Sequence, residues 1–200
     1  MLFRSTITVN DTNDAPTAIA LSATAINENA AGAVVGTLTT TDVDASDSHT
    51  YSLSGTDKIS FEVVSGQLKL KDSVSANYES KSSYSVTVTA TDPGGLTTYW
   101  INNADGRLGP DPMVDTATIT VNDVNEAPTA IALSSFSVNE NSAGAVVGTL
   151  ATTDVDAGDS HTYSLCGTDA STFEVVSGQL KPKDSATANY ETKSSYAVTV

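Results

Sequence analysis

The sequence predicts an all-β chain of tandem, seven-stranded Greek-key β-sandwiches. The first observation is an internal repeat: shifted by 112 positions, residues 10–88 fall on residues 122–200 without a gap, and only 18 of those 79 positions differ. The second is a composition rich in Thr, Ser, Val, Ala and Asp, which favours strands and turns over helices. The third is a strict alternation in residues 83–90, which places four apolar side chains on one face of a strand: Tyr84, Val86, Val88 and Ala90.

The first repeat contains seven short runs that are typical of strands, the number that a β-sandwich needs. In order along the first repeat they are residues 19–26, 34–40, 50–53, 61–64, 67–70, 83–90 and 116–121. Turn residues separate them, and Ser65-Gly66 between the fourth and fifth runs predicts a two-residue hairpin. The runs are half apolar, so we expect two sheets that share one core.

The repeat predicts three parts of the chain. Residues 1–14 carry the last strand and connector of a preceding repeat, because residues 4–11 match residues 116–123. Residues 15–126 form the first repeat with its connector. Residues 127–200 form the second repeat, which lacks its last strand. An unpaired edge in that repeat predicts head-to-tail self-association, in which another copy adds its residues 4–10 as a strand.

The charge of the chain limits its partners. The net charge is −15 and the pI about 4.1, so nucleic acid and anionic membranes are disfavoured, whereas cations are attracted. No apolar stretch approaches the length of a membrane span. No apolar signal region follows Met1, so either export is directed from elsewhere in a longer parent or the protein is not exported. The single cysteine, Cys166, corresponds to Ser54 in the first repeat and allows no disulfide within the chain.

Signatures of catalysis are absent from the sequence, and we predict that the chain is not an enzyme. It contains no Gly-x-Ser-x-Gly motif. The two histidines, His49 and His161, occupy equivalent repeat positions beside a strand, where a structural hydrogen bond is the favoured interpretation.

An insertion interrupts the first repeat at residues 99–115, between the last two predicted strands. It holds two Gly, two Pro and the only tryptophan, Trp100. One interpretation is a binding loop with an aromatic anchor; the other, which we favour, is a tolerated loop whose Trp covers the edge of the sandwich.

Acidic and amide residues occur in five places along the first repeat, and the first three of these places recur in the second. In the first repeat they are Glu28-Asn29, Asp42-Val43-Asp44, Asn77-Tyr78-Glu79, Asp92 and the connector VNDVNEAP at residues 121–128. An EF-hand is excluded, because the fifth and twelfth positions counted from Asp154 are Gly158 and Leu165. The five motifs, in this order, resemble the signature of cadherin repeats. The connector and the DSHTYSL motif look most like the bacterial cadherin-like repeats of large surface adhesins.

The resemblance implies a cadherin-like sandwich and Ca²⁺ bound where repeats meet. Ca²⁺ takes six to eight oxygen ligands, more than one end of a repeat supplies. Carried over residue by residue, the ligands at the junction would be Glu28, Glu79, Asp123, Asn125, Glu126, Asp154 and Asp156. The matching half-site on the N-terminal side would use Asn13, Asp14, Asp42, Asp44 and Asp92. Glu140 and Glu191 would serve a third repeat.

Two departures from the family pattern predict fewer or weaker ions. Asn77 stands where the family usually has Asp, and Glu126 replaces the connector Asp with one residue missing before Pro128. Extracellular modules of this type bind Ca²⁺ with dissociation constants of about 10⁻⁴ to 10⁻³ M. Turn formation is the competing explanation of these acids, but they cluster at the ends of the repeats and would repel one another without a cation.

These expectations describe a calcium-binding segment of a secreted or cell-surface protein, acting as a rigidified stalk or cell-adhesion module. Its partners would be neighbouring repeats of the same chain, with other cell-surface proteins or glycans as further candidates. Homophilic adhesion follows by analogy with the family only. The alternative is a calcium-independent spacer or carbohydrate-binding β-sandwich attached to a secreted enzyme, which Tyr99 and Trp100 alone support.

Overall fold

The structure is a computed structural model that describes residues 4–99 and 117–200. It divides into two compact units, Met1–Val124 and Asn125–Val200. The repeat boundaries after residues 14 and 126 remain predictions. Residues 100–116, which include Trp100 and most of the predicted insertion, lie outside the described residues.

The first unit consists of two sheets that enclose one core. Its strands are β1 (Ala18–Leu21), β2 (Ala25–Asn27), β3 (Val34–Thr41), β4 (Thr50–Ser54), β5 (Phe61–Val64), β6 (Gln67–Leu70), β7 (Ser83–Thr91), β8 (Thr97–Tyr99) and β9 (Ala117–Asn122). One sheet has the order β1-β3-β6-β5, and all its neighbours are antiparallel. The other has the order β2-β9-β7-β4, with β8 also paired to β7.

The predicted hairpin between β5 and β6 is confirmed. Its two turn residues, Ser65 and Gly66, have φ of 50° and 75°. A two-residue turn with both φ angles positive matches the twist of the strands that it joins. The register pairs Val64 with Gln67 and Phe61 with Leu70.

The first predicted strand, residues 19–26, is two strands in different sheets. β1 pairs antiparallel with β3, whereas β2 pairs parallel with β9. Ser22 still bonds to the first sheet, since Ser22 N donates to Thr37 O in β3. Thr24 already bonds to the second sheet, since Thr24 O accepts from Thr120 N in β9. The chain therefore crosses from one sheet to the other at residues 22–24.

The insertion separates β8 from β9, two strands that pair with the same edge of β7. β4 pairs with residues 87–91 of β7, so β8, which pairs with residues 89–91, lies on the opposite edge. β9 pairs with residues 83–86 on that same edge. β8 and β9 thus continue one another along β7, with residues 100–116 between them.

The core of the first unit is formed by the inward faces of both sheets. Phe61 meets Tyr84 edge-on, with ring centroids 5.5 Å apart. Leu68, Leu70, Val86, Val88 and Ile119 are fully buried around this pair. The alternation in β7 places its apolar side chains in the core, as the sequence predicts, and the all-β fold class is confirmed.

The second unit repeats the first sheet but not the whole second one. Its strands β10 (Ala130–Leu133), β11 (Gly148–Thr153), β12 (Phe173–Val176) and β13 (Gln179–Pro182) have the order β10-β11-β13-β12. The counterparts of β4 and β7 are joined by a single bridge, Cys166 to Thr199. Residues 125–200 contain no counterpart of β9, the strand that in the first unit pairs with both β2 and β7.

Helices are limited to two short 3-10 turns in the described ranges, Lys58–Ser60 and Ala170–Thr172. Among the residues that the structure describes, no helix has the length and apolarity needed to cross a bilayer.

Candidate metal sites

The Asp-Val-Asp motif of the first unit begins where β3 ends. Asp42 Oδ1 accepts a hydrogen bond from Asp44 N at 3.1 Å, which folds the motif back on itself. Asp42 Oδ2 lies 2.8 Å from His49 Nε2, and this bond holds the pKa of Asp42 below its ordinary value of 3.8. His49 is thus a hydrogen-bonding partner of an acidic residue, as the sequence predicts.

Asn13, Asp14 and Asp92 join this motif at the same end of the first unit. Asp14 N donates to Asp44 Oδ2 at 2.7 Å, and Asn13 Nδ2 donates to Asp92 Oδ2 at 2.8 Å. Asp92 is buried, and its other oxygen accepts from Leu96 N at 2.7 Å. The structure therefore brings the whole predicted N-terminal half-site together: Asn13, Asp14, Asp42, Asp44 and Asp92.

Gly94 leaves the space that Asn13 occupies. A Cβ built on Gly94 would lie 2.6 Å from Asn13 Nδ2, closer than real Cβ contacts come. The glycine after Asp92-Pro93 thus allows the connector to approach the turn that follows β7.

Asp47 belongs to this cluster, although it is not among the ligands predicted from the sequence. Burial raises the pKa of Asp47 above its ordinary value, and the negative charges of Asp44, Asp42 and Asp92 raise it further. Asp47 Oδ2 is buried and has no hydrogen-bond partner. The signal was present in the sequence, because Asp-Val-Asp-x-x-Asp occurs at residues 42–47 and again at residues 154–159.

The second unit repeats the arrangement around Asp154, Asp156 and Asp159. Each offers a carboxylate oxygen, and these oxygens lie within 4.8 Å of one another. Asp156 N donates to Asp154 Oδ1 at 3.3 Å, and Glu126 N donates to Asp156 Oδ2 at 2.7 Å, as Asp14 N does to Asp44. Asn125 Nδ2 donates to Glu126 O at 2.8 Å.

Two carboxylate oxygens of this trio are buried without a hydrogen bond. They are Asp154 Oδ2 and Asp156 Oδ1. Asp154 Oδ2 lies 3.7 Å from His161 Nε2, an ion-pair distance when His161 is protonated, but beyond a hydrogen bond. A buried carboxylate oxygen that no donor meets is unfavourable unless a cation compensates it.

Glu28, Glu79 and Asp123 form the acidic group at the other end of the first unit. Carboxylate oxygens of Glu28 and Glu79 lie within 4.8 Å of each other, and so do those of Glu79 and Asp123. Glu28 is only 3% exposed, and it accepts backbone hydrogen bonds from Tyr78 N at 2.7 Å and Val124 N at 2.9 Å. Glu79 and Asp123 are exposed, and Asn77 Nδ2 donates to Glu79 at 3.2 Å.

The donor chemistry of these groups fits Ca²⁺. The residues offer carboxylate and amide oxygens, the hard ligands that Ca²⁺ takes in a flexible geometry. Both histidines face an Asp oxygen through Nε2, and the only cysteine belongs to a backbone bridge elsewhere. The unpartnered oxygens of Asp47, Asp154 and Asp156 lie within the acidic clusters, where a cation would compensate them.

Comparisons with solved structures identify the fold. The structure of human protocadherin-24 EC1-2 matches with a TM-score of 0.65 and 21% identity, over 91% of this chain and 82% of that one. The protocadherin γB4 extracellular domain matches with a TM-score of 0.61 and 20% identity, over 95% of this chain and 29% of that one. Protocadherin γB2 extracellular cadherin domains 3-6 match with a TM-score of 0.60 and 20% identity, over 90% and 42%.

Comparisons of sequence give no such match: neither the protein-family models nor the curated protein sequences match this chain. The structural matches are to extracellular cadherin domains, at identities that show the fold alone. The cadherin-like part of the resemblance is thereby confirmed at the level of fold: this chain has the β-sandwich fold of extracellular cadherin domains.

Proposed function

We propose that the chain is a non-enzymatic, calcium-binding segment of a secreted or cell-surface repeat protein, in which Ca²⁺ stabilises the ends of the units. The observation that carries this proposal is the Asp154, Asp156 and Asp159 trio. It combines three close carboxylates with two buried oxygens that have no hydrogen bond. Three carboxylates within 4.8 Å repel one another strongly unless a cation lies among them.

The cluster of the first unit supports the same proposal independently. Asp42, Asp44, Asp47 and Asp92 converge at one end of the unit, and the pKa of Asp47 is raised by burial and by these neighbours. The two units differ at 18 of 79 positions, yet all three acids of the Asp-Val-Asp-x-x-Asp motif are present in both.

The chain's own residues preorganise the acids for this role. Asp44 and Asp156 are each held by the backbone N–H of a connector residue, Asp14 or Glu126. Asn13 fixes Asp92, and Asn125 fixes its own connector through Glu126 O. Bound Ca²⁺ would supply charge neutralisation, and the chain would supply oxygens whose positions are already set by backbone bonds.

The wider role that we propose is a stalk or adhesion module of a bacterial surface protein. The cadherin-like fold, the tandem repeat and the excess of acids support it. A carbohydrate-binding role depends on Tyr99 and Trp100, and Trp100 lies outside the described residues, so no described side chain favours it.

A calcium titration followed by melting temperature tests the proposal. Calcium at roughly ten times the dissociation constant adds about 1.4 kcal/mol per site, which for a unit of this size raises Tm by about 5–10 °C. Asp154→Ala with Asp156→Ala removes that rise from the second unit. Asp72→Asn with Asp184→Asn is the matched control, because both residues are exposed and pair with Lys69 and Lys181.

Two outcomes would contradict the calcium proposal. One is a melting profile that is the same in calcium and in chelator. The other is a double variant at residues 154 and 156 that keeps the full response.

A further inference from the structure

The last strand of the first unit is paired with a strand near its beginning. β9 runs parallel to β2, and three pairs of residues lie opposite one another: Ala25 with Thr120, Ile26 with Val121 and Asn27 with Asn122. Backbone hydrogen bonds continue the ladder at both ends. Thr120 N donates to Thr24 O at 2.8 Å, and Glu28 N donates to Asn122 O at 3.2 Å.

Side chains add further hydrogen bonds to this ladder. Asn122 Nδ2 donates to Asn27 Oδ1 at 3.0 Å, which joins the two strands a second time. Glu28 Oε1 accepts from Val124 N at 2.9 Å, so the residue that follows β2 also holds the chain just beyond β9. One continuous row of bonds therefore joins residues 24–28 to residues 120–124, and we call these two segments the clamp.

The clamp is packed against the core on one side and fixed to the second sheet on the other. Ile26 and Val121 are 4% and 1% exposed, and water competes poorly for hydrogen bonds beside such a packed face. Val121 N donates to Ser82 O at 2.9 Å, and β9 pairs antiparallel with β7 along its other edge. The clamp therefore connects the N-terminal segment of the unit to a strand that is itself held by its neighbour.

Tension along the chain would act on the two strands of the clamp from opposite ends. The chain enters β2 on the side of Thr24 and leaves β9 on the side of Val124. Because the two strands are parallel, such pulls act in opposite directions along the strands. All bonds of the clamp are then loaded together, whereas the bonds of a pair that is opened from one end break one after another.

The segment before the clamp is anchored in the other sheet. β1 pairs antiparallel with β3 along its whole length, and Thr17 N, just before β1, donates to Thr41 O at 2.8 Å. A pull from the N-terminal side therefore reaches β1 first and the clamp only across residues 22–24. The unit resists such a pull in both of its sheets.

We propose that the clamp is a mechanical device, which keeps the first unit folded when the chain on its two sides is pulled. The source of such tension rests on the proposed role as a stalk or adhesion module. The clamp itself consists of hydrogen bonds within one unit and needs no calcium. Measured in chelator, it can therefore be present when the calcium proposal fails, and absent when that proposal holds.

Single-molecule pulling of the 200-residue chain in chelator tests the proposal by changing only the direction of the load. In a Cys166→Ser background, DNA handles on Ala15→Cys and Val124→Cys shear the clamp. Handles on Ala30→Cys and Val124→Cys lie beyond the same end of both strands and peel it apart. All three handle positions are exposed. At one pulling rate, the mean unfolding force should be roughly twofold higher or more under shear, because the bonds share the load.

A side-chain variant tests the composition of the clamp. Asn122→Ala removes the bond to Asn27 and should reduce the ratio of the shearing force to the peeling force, because the lost bond shares the load only under shear. Thr118→Ala is the matched control: Thr118 is an exposed residue of β9 that lies opposite Ser85 of β7 and outside the clamp, so the ratio stays unchanged.

Equal unfolding forces in the two pulling directions would overturn the proposal. So would a ratio of forces that Asn122→Ala and Thr118→Ala reduce equally. A loss of thermal stability alone lowers the unfolding force in both directions and leaves their ratio in place, so the ratio separates a mechanical role from a merely structural one.

Discussion

The hydrogen bond between His49 and Asp42 affects the titration of one acid in the cluster of the first unit. Their hydrogen bond of 2.8 Å is the largest cause of the lowered pKa of Asp42. Because the folded-state pKa is lowered, the contribution of this carboxylate to stability is present above pH 3.8 and is lost as the pH falls through the folded-state pKa.

His49→Ala should therefore raise the pKa of Asp42 toward its ordinary value. Carboxyl-carbon NMR chemical shifts measured against pH give this value directly. The equivalent change His161→Ala is the control for removing a histidine without removing a hydrogen bond to an Asp. His161 Nε2 lies 3.7 Å from Asp154 Oδ2 and forms no hydrogen bond with it. An unchanged Asp42 titration in His49→Ala would mean that the bond does not govern this carboxyl group.

The ionisation of Asp47 is expected to affect the stability of the folded state in the opposite sense to that of Asp42. The pKa of Asp47 is raised, so the folded state opposes its ionisation, and ionised Asp47 destabilises the calcium-free protein at neutral pH. This destabilisation disappears as the pH falls through the raised folded-state pKa. Asp47→Asn should raise the melting temperature in chelator at pH 7 and weaken calcium binding by the first unit.

Thermal melts in chelator at pH 7, with calcium titrations of the same samples, measure both effects. Asp72→Asn provides the comparison, because it removes the same charge from an exposed side chain. A calcium-free Asp47→Asn protein that melts below the wild type would refute the repulsion argument.

At the residue scale, sequence reasoning found the ligand types but not every member of the clusters. Asp42, Asp44, Asp92 and their connector partners come together as the resemblance implies. Asp47 and Asp159 were missed because one Asp in a turn is ordinary by composition. Only the fold shows that the turn carries the third Asp back toward the first two.

Glu28 connects three elements of the first unit. It follows β2, and its carboxylate accepts hydrogen bonds from Tyr78 N, before β7, and from Val124 N, after β9. It is almost fully buried, so removing its oxygens leaves two backbone N–H groups without partners in an enclosed place.

Glu28→Ala should destabilise the first unit by about 2–4 kcal/mol. Glu140→Ala, its match in the second unit, should cost less, about 1 kcal/mol, because Glu140 is only half-buried and accepts one such bond, from Tyr190 N. Amide hydrogen exchange in chelator separates the units, with Leu68 reporting on the first and Leu180 on the second. Equal losses in both units would contradict the role assigned to Glu28.

Strand positions were largely predictable from the sequence, whereas sheet membership was not. The strand β7 and the Ser65-Gly66 turn could be predicted because burial of one face and positive φ angles each restrict the residue types that occur. Residues 19–26 carry the same apolar pattern in β1 and β2, although these pair with different sheets. Local pattern records which face is buried, not which neighbour supplies the hydrogen bonds.

At the scale of the whole molecule, charge and repetition fit one explanation. A net charge of −15 on 200 residues destabilises the folded state by self-repulsion, and much of that charge lies in clusters repeated in the two units. The cation binding that we propose would remove this repulsion in the acidic clusters. The fold is that of extracellular cadherin domains, and the Asp-Val-Asp-x-x-Asp motifs follow directly after β3 and β11 rather than lying within a strand.

Direct counting of bound calcium tests the central claim most directly. Equilibrium dialysis of the wild-type chain should show calcium bound with a dissociation constant of about 10⁻⁴ to 10⁻³ M. A variant with Asp42, Asp44, Asp154 and Asp156 changed to Asn should bind markedly less, while Asp72→Asn with Asp184→Asn binds like the wild type. Wild-type protein that binds no more calcium than the fourfold variant would contradict the account.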